Sequence, residues 1–114
     1  MPEREYKLFL EDVLSSIHKI RNYVATLSFD EFFKDEMRVD AGVRNLEIIG
    51  EAAKHVPDEV KANYPFVEWR KIVAFRNVLI HEYFGIDSAI LWDIIKNKLP
   101  QAERDILKVM DEEK

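Results

Sequence analysis

The sequence contains no cysteine and few residues that break helices, with three glycines and four prolines among 114 residues. The absence of cysteine excludes disulfide bonds, thiolate zinc sites and cysteine nucleophiles. The scarcity of glycine and proline leaves little room for hairpin turns, and no segment alternates apolar and polar residues with the period of two that strands show. These absences predict an all-α fold.

Long apolar runs and an excess of positive charge are also missing. No stretch approaches the roughly 18 to 20 apolar residues of a membrane span, and the N-terminus lacks the pattern of a secretion signal. We therefore expect no membrane association and a cytoplasmic location. With 17 basic and 22 acidic side chains the net charge is −5, so any contact with nucleic acid must be local and lie in a cleft. The length predicts one domain, residues 1–114.

The N-terminal half begins with a clear helical pattern. Apolar residues recur every three or four positions and predict one long helix of about 20 residues. They are Tyr6, Leu10, Val13, Ile17, Ile20, Val24 and Leu27. Ser28 and Glu31 have the spacing of a capping box, so a second helix should begin there and bury Phe29, Phe32 and Phe33. The weak break at 40–42 leaves open whether this helix is short or continuous with the next.

The rest of the chain divides into further helices at its prolines and capping residues. Pro57 and Pro65 bracket a short helix, because proline is poorly tolerated inside a helix. Asp87 can cap the last helix, which Pro100 should kink or split near Leu99. The predicted helices are about 43–56 after a weak break at 40–42, the short helix 58–63, about 67–84, and a last helix from 87. The expected architecture is an up-and-down bundle of four main helices with one or two extra short ones.

The helix predicted at about 67–84 places polar residues in or beside its apolar face. At about 100° per residue, Arg76 and Tyr83 fall inside an apolar arc. Asn77 and His81 lie together on the flank of that arc. A guanidinium costs several kcal/mol to bury unless it is paired, and no acid on this helix obviously pairs with Arg76. The arginine therefore needs a partner from elsewhere.

Each of these polar residues also has an ordinary structural interpretation. Arg76 can form an ion pair with a core-facing acid such as Glu47 or Glu51. His81 can be a neutral, hydrogen-bonded side chain, and Tyr83 can be a core residue with its hydroxyl at the rim. Taken one at a time, the three residues favour structure over function.

The sequence gives little support for a metal site. The three histidines lie on three different predicted helices, and none belongs to an H-E-x-x-H or Glu-x-x-His pair. Glu51 and His55 are four residues apart and could chelate, but such surface pairs are usually solvated. We therefore expect no metal and no cofactor. Gly50, in the middle of a predicted helix, indicates a close approach of two helices.

Together, Arg76, Asn77, His81 and Tyr83 form a pattern that resembles the R-x-x-x-x-H-x-Y motif of the HepT-type toxins, a branch (DUF86 type) of the all-helical HEPN ribonucleases. The flanking sequence is similar to that family as well. The similar blocks are residues 44–52, the approach to the motif at 65–69, and the start of the last helix at 87–92. The resemblance covers nearly the whole chain.

The resemblance implies a role for each motif residue. Arg76 and His81 would be the catalytic pair of an endoribonuclease that needs no metal, and Asn77 would support them. Tyr83 would be the position that the cognate antitoxin, the nucleotidyltransferase MntA, modifies with AMP. The chain would then be the toxin of a type VII HepT/MntA toxin–antitoxin system, with RNA as substrate and further complexes with the antitoxin.

The chemistry of RNA cleavage adds an expectation about assembly. Cleavage without a metal needs a base for the ribose 2′-hydroxyl, an acid for the leaving 5′-oxygen, and a cation for the charge that develops on the phosphate. One chain supplies only one such histidine, His81. A two-fold homodimer with both motifs facing a shared cleft would supply two, would extend the apolar arc around Arg76 into the partner, and would yield a 2′,3′-cyclic phosphate end.

Two further interpretations stay open from the sequence. The first alternative is a non-catalytic HEPN module that binds a nucleotidyltransferase partner or a nucleotide, with Arg76 and His81 in structural or ligand-binding roles. The acidic isoelectric point near 5.2 leans toward it. The second is a bundle whose aromatic stripes serve an unrelated partner.

Overall fold

The computed structural model describes residues 3–82 and 87–113, with side chains described for residues 5–76 and 87–113. These ranges are helical and contain no strand, which confirms the all-α prediction. The helices are α1 Glu3–Val24, α2 Phe29–Lys34, α3 Glu36–Lys54, α4 Asp58–Asn63, α5 Trp69–Glu82, α6 Ser88–Asp93 and α7 Leu99–Glu112, with a π-helical segment Ile94–Lys98 between the last two. No helix in this part of the chain has the length and apolar character needed to cross a bilayer.

Helix α3 lies at the centre of the fold, because it packs against α1 on one side and α5 on the other, while α1 also contacts α7. The predicted seam of α1 is buried from Tyr6 to Val24. Helix α1 then ends, because Ala25 adopts a left-handed φ of 42°. Leu27 therefore lies beyond the helix, although it still packs against the core.

The local signals at three helix ends are confirmed. The Ser28 side chain accepts a hydrogen bond from the Glu31 N–H, and the Glu31 carboxylate accepts one from the Ser28 N–H, so the capping box is complete. The Asp87 carboxylate accepts hydrogen bonds from the N–H groups of Ala89 and Ile90. Helix α4 has the predicted bounds. Such short-range bonds depend on few residues, which is why the sequence predicts them well.

Two predictions about the second and third helices are wrong. Helix α3 begins at Glu36 rather than near residue 43, since the Asp35 side chain caps it by accepting from the Arg38 N–H. Residues 40–42 continue the helix, and Gly42 is buried against Phe32. Phe32 is fully buried, but Phe29 remains 37% exposed.

Pro100 divides the last helix, as predicted, and the π-helical segment shows how. Leu99 donates its N–H to the carbonyl of Ile94, five residues back, instead of four. Pro100 then follows as the second residue of α7. The wider turn gives the chain room ahead of a residue that has no N–H to donate.

Candidate functional site

Helix α5 crosses α3 so closely that only glycine fits at the contact. A Cβ on Gly50 would lie 2.5 Å from the Cβ of Arg76 and 3.0 Å from the carbonyl oxygen of Val73. Real Cβ atoms do not approach other atoms this closely, so the predicted close approach at Gly50 is confirmed. The crossing places Arg76 directly on the surface of α3.

Arg76 has an ion-pair partner on α3. Its Nε lies 3.1 Å from Oε2 of Glu51, one of the two acids that the sequence suggested. The Arg76 side chain is 32% exposed and the Glu51 side chain 47% exposed, so both reach the surface. The arginine in the apolar arc is therefore paired within its own chain.

The same carboxylate also contacts a histidine. Oε1 of Glu51 lies 3.2 Å from Nε2 of His55, the residue that caps the C-terminus of α3. The His55 ring stacks on Phe9 of α1, with ring centroids 5.3 Å apart and planes at 24°. Glu51 thus joins Arg76 of α5 to a histidine that is supported from α1. Among the described side chains no group of three or more histidines and acids could hold a metal ion.

These residues line one side of a groove of about 400 Å³ between α1, α3 and α5, which we call the Arg76 groove. Its rim carries both charge signs: Asp12 comes from α1, and Arg44 and Glu47 come from α3. Arg44 and Glu47 pair with each other at 3.5 Å. The groove therefore offers a guanidinium at its edge among charges that are mostly paired.

The other predicted site residues lie at the limit of the described chain. Asn77 and His81 belong to α5, but their side chains are outside the described residues, and so is the whole of Tyr83. On an ideal helix His81 follows Arg76 by about 7.5 Å of rise and is turned by about 140° from it. The roles of Asn77, His81 and Tyr83 remain predictions from the sequence.

Sequence reasoning missed the His55–Phe9 stack and did not choose between Glu47 and Glu51. Glu47 points to Arg44, whereas Glu51 follows Gly50, where the two helices touch. A mid-helix glycine next to an acid was the available signal, since a side chain beside the closest contact is best placed to reach the other helix.

Comparison with known proteins agrees with the resemblance. The family model described as Ribonuclease HepT-like matches residues 13–109. The chain is 39% identical over 110 residues to the protein named "Putative RNase MJ0127" of Methanocaldococcus jannaschii, which covers 96% of this chain and 91% of that protein. It is 38% identical over 98 residues to the "Probable ribonuclease HepT" of Thermococcus cleftensis, covering 86% of this chain and 89% of the relative. No solved structure gives a significant match.

Proposed function

This chain belongs to the HepT-like family of ribonucleases, and from this premise we propose that it cleaves RNA with Arg76 and His81 as its catalytic residues. The observation that carries the proposal is the position of Arg76, held by Glu51 at the edge of a groove. An arginine that is paired through Nε still has its two terminal nitrogens to offer to a phosphate.

The proposed step is a transesterification that needs no metal. A base removes the proton of the ribose 2′-hydroxyl, and the 2′-oxygen attacks the adjacent phosphorus. The bond from phosphorus to the 5′-oxygen breaks, an acid protonates that oxygen, and the products are a 2′,3′-cyclic phosphate and a 5′-hydroxyl. His81 acts as base or acid, Arg76 stabilises the charge on the phosphate oxygens, and Asn77 supports them.

We further propose that the active form is a homodimer. The need for both an acid and a base supports this assembly, because each chain offers one motif histidine. The charge of Arg76 does not contribute to this argument, because Glu51 of the same chain already pairs with it. The angle of about 140° between Arg76 and His81 fits a site in which the two residues come from different protomers.

The regulatory part of the proposal concerns Tyr83. We propose that a nucleotidyltransferase antitoxin of the MntA type transfers AMP to Tyr83 and thereby silences the toxin. Tyr83 follows His81 by two residues, so an added AMP would bring a phosphate anion and a nucleoside next to the catalytic residues. The added anion would compete with RNA for the same cations.

Cleavage is tested with purified protein, a labelled RNA and a chelator. We expect cleavage with cyclic phosphate ends in the presence of EDTA, and loss of cleavage in His81→Ala. Arg104→Ala is the control, because Arg104 is exposed on α7 and hydrogen-bonded to Gln101. Full cleavage by folded His81→Ala would reject the chemistry. Absence of cleavage in the wild type would instead support a non-catalytic module.

The shared site is tested by mixing wild type with inactive His81→Ala in equal amounts and letting the subunits exchange. If the cleft uses the histidines of both protomers, only the wild-type homodimers are active, about a quarter of all dimers after random mixing, and the activity should fall to about half of that of the same amount of wild type alone. If each site uses a single histidine, mixing should leave the wild-type activity unchanged. A protein that scatters light as a monomer would also contradict the shared site.

The modification is tested by intact mass after co-expression with a nucleotidyltransferase of the MntA type. We expect mass to increase by whole AMP units, and the increase to disappear in Tyr83→Phe. Persistence of the modification in Tyr83→Phe would reject the assignment of Tyr83 without affecting the proposed cleavage.

A further inference from the structure

A second groove borders the first half of α5. It has a volume of about 730 Å³ and lies between the end of α3, helix α4 and the first turns of α5. Its charged residues are four cations, Lys54, Lys61, Arg70 and Lys71, and two acids, Asp58 and Glu68. We call it the basic groove.

The basic groove reverses the charge balance of the chain. The whole sequence has more acidic than basic side chains, 22 against 17, whereas this groove has twice as many cations as acids. Lys71 is occupied by Glu68, with Nζ and Oε2 2.6 Å apart. Lys54, Lys61 and Arg70 have no ion-pair partner among the described residues, so these three charges are available to an anion.

The floor of the basic groove is apolar and firmly held. Val67 and Trp69 are buried there, and the Trp69 indole donates a hydrogen bond to the carbonyl of Tyr64 at 3.1 Å. Val73 and Ala74 continue the floor along α5. An apolar floor with cations on its rim suits a single-stranded nucleic acid, whose sugars and bases are apolar on their faces and whose phosphates are charged.

The position of the groove connects it with the proposed cleavage site. Arg70 precedes Arg76 by six residues on α5, or about 9 Å of helix rise. Arg70 is also turned by about 120° from Arg76 on an ideal helix, so a strand bound at Arg76 has to extend further than this rise to reach Arg70. A dinucleoside monophosphate has a single phosphate and cannot contact both arginines through phosphates. A longer strand can contact both.

We propose that the basic groove binds the phosphate backbone of the RNA substrate at phosphates other than the one at which the strand is cleaved. Lys54, Lys61 and Arg70 each neutralise a phosphate, and the groove supplies affinity without sequence preference. This inference rests on the proposed function, because it names the part of the chain that holds the same substrate.

The test measures binding of a 2′-O-methyl oligouridylate of about 16 nucleotides, a length at the upper end of single-strand sites, at several salt concentrations. For single strands, the logarithm of the binding constant falls with the logarithm of salt concentration by about 0.7 for each phosphate contact. The variant Lys54→Gln/Lys61→Gln/Arg70→Gln should bind the oligouridylate about tenfold more weakly, and the slope should become less steep by about two, because three phosphate contacts are lost.

Two matched variants separate charge from structure. Lys54→Arg/Lys61→Arg/Arg70→Lys keeps the three charges and should keep the slope. Lys19→Gln/Lys34→Gln/Arg104→Gln removes three exposed cations from α1, α2 and α7 and should have a smaller effect. Equal losses in the two charge-removing variants would overturn the inference.

Cleavage assays distinguish failure of this inference from failure of the proposed function. The groove variant should cleave a dinucleoside monophosphate at the wild-type rate and show a KM for long RNA raised about tenfold. If the groove variant cleaves RNA and binds it with unchanged affinity and salt dependence, this inference alone is overturned. That outcome includes the case in which the groove binds the antitoxin. A wild type that neither binds nor cleaves RNA would overturn the proposed function.

Discussion

The two grooves beside α5 contain similar numbers of charged residues but differ in how many of these residues are in ion pairs. In the Arg76 groove Glu51 contacts both Arg76 and His55, and Arg44 pairs with Glu47. In the basic groove only Lys71 and Glu68 pair, and three cations have no ion-pair partner among the described residues.

The difference indicates a division of tasks along one helix. An ion pair restricts the direction of a long side chain, and chemistry at a phosphate depends on that direction. A free lysine or arginine keeps its mobility and can follow a flexible polyanion, which is sufficient for affinity. The comparison predicts that changes in the Arg76 groove act mainly on the rate, and changes in the basic groove mainly on binding.

Among the substitutions in the two grooves, Arg76→Ala should cause the largest loss of cleavage rate. Removal of one group that stabilises developing charge costs about 100- to 1,000-fold in kcat. We therefore expect a loss of this size in single-turnover cleavage, with a much smaller change in RNA affinity. If RNA binding fell as much as the cleavage rate, the assignment of Arg76 to the reaction rather than to binding would be wrong.

Gly50→Ala should have the next largest effect, because it separates the two helices that form the Arg76 groove. The added Cβ would meet the backbone and Cβ of Arg76 at 2.5 to 3.0 Å. Overpacking of this kind costs about 1 to 3 kcal/mol of unfolding free energy, measurable by urea denaturation.

Gly42→Ala provides the matched control for Gly50. A Cβ on Gly42 would lie 3.6 Å from Cζ of Phe32, an ordinary contact. Alanine in place of glycine inside a helix should then stabilise the protein by about 0.5 to 1 kcal/mol. Equal destabilisation by both substitutions would show that the crossing at Gly50 is not the reason for the loss.

Glu51→Gln should cause an intermediate loss of rate. The ion pair with Arg76 is partly exposed, so its contribution is about 1 kcal/mol or less, and we expect the cleavage rate to fall by about fivefold or less. Glu103→Gln is the control, since Glu103 also pairs with an arginine, Arg21, between helices away from both grooves. We expect that control to keep the wild-type rate, and a loss shared by both variants would contradict a specific role for Glu51.

The smallest expected effect is a change in the titration of Glu68. The ammonium of Lys71 lowers the pKa of the Glu68 carboxyl in the folded protein. The ionised Glu68 therefore stabilises the folded state at pH values above its pKa in the unfolded chain, and this stabilisation is lost as the pH falls through its pKa in the folded protein. Lys71→Met should raise the pKa of Glu68 toward its usual value, as measured by NMR titration.

Glu31 is an internal control for that titration. Hydrogen bonds from the backbone and then the side chain of Ser28 lower the pKa of Glu31, and Lys71 takes no part in them. The pKa of Glu31 should therefore not change in Lys71→Met. A change at both carboxyls would indicate a general structural effect and would leave the pairing of Lys71 without support.

The sequence predicted best those features that depend on neighbours along the chain. The buried seam of α1, the Ser28 capping box and the bounds of α4 all follow from spacing and local hydrogen bonds. The start of α3 was not predicted correctly, because Gly42 was interpreted as part of a weak break, whereas it is a buried residue inside α3.

The candidate site was predictable only in part, for a similar reason. The position of Arg76 in an apolar arc follows from helical periodicity, and Glu51 was one of two acids considered. The choice between those acids depends on how α3 and α5 cross, and Gly50 lies where the two helices come close together. Periodicity within one helix does not contain this information.

The π-helical segment Ile94–Lys98 has a consequence for changes in chain length. A π turn holds one more residue than an α turn between its bonded groups, so the last helix carries a spare residue there. Deletion of Asn97 together with Pro100→Ala should restore a continuous α-helix with Leu91 and Ile106 still facing the core. A deletion within α7 would instead turn every following residue by about 100° and move the buried side of the helix into solvent.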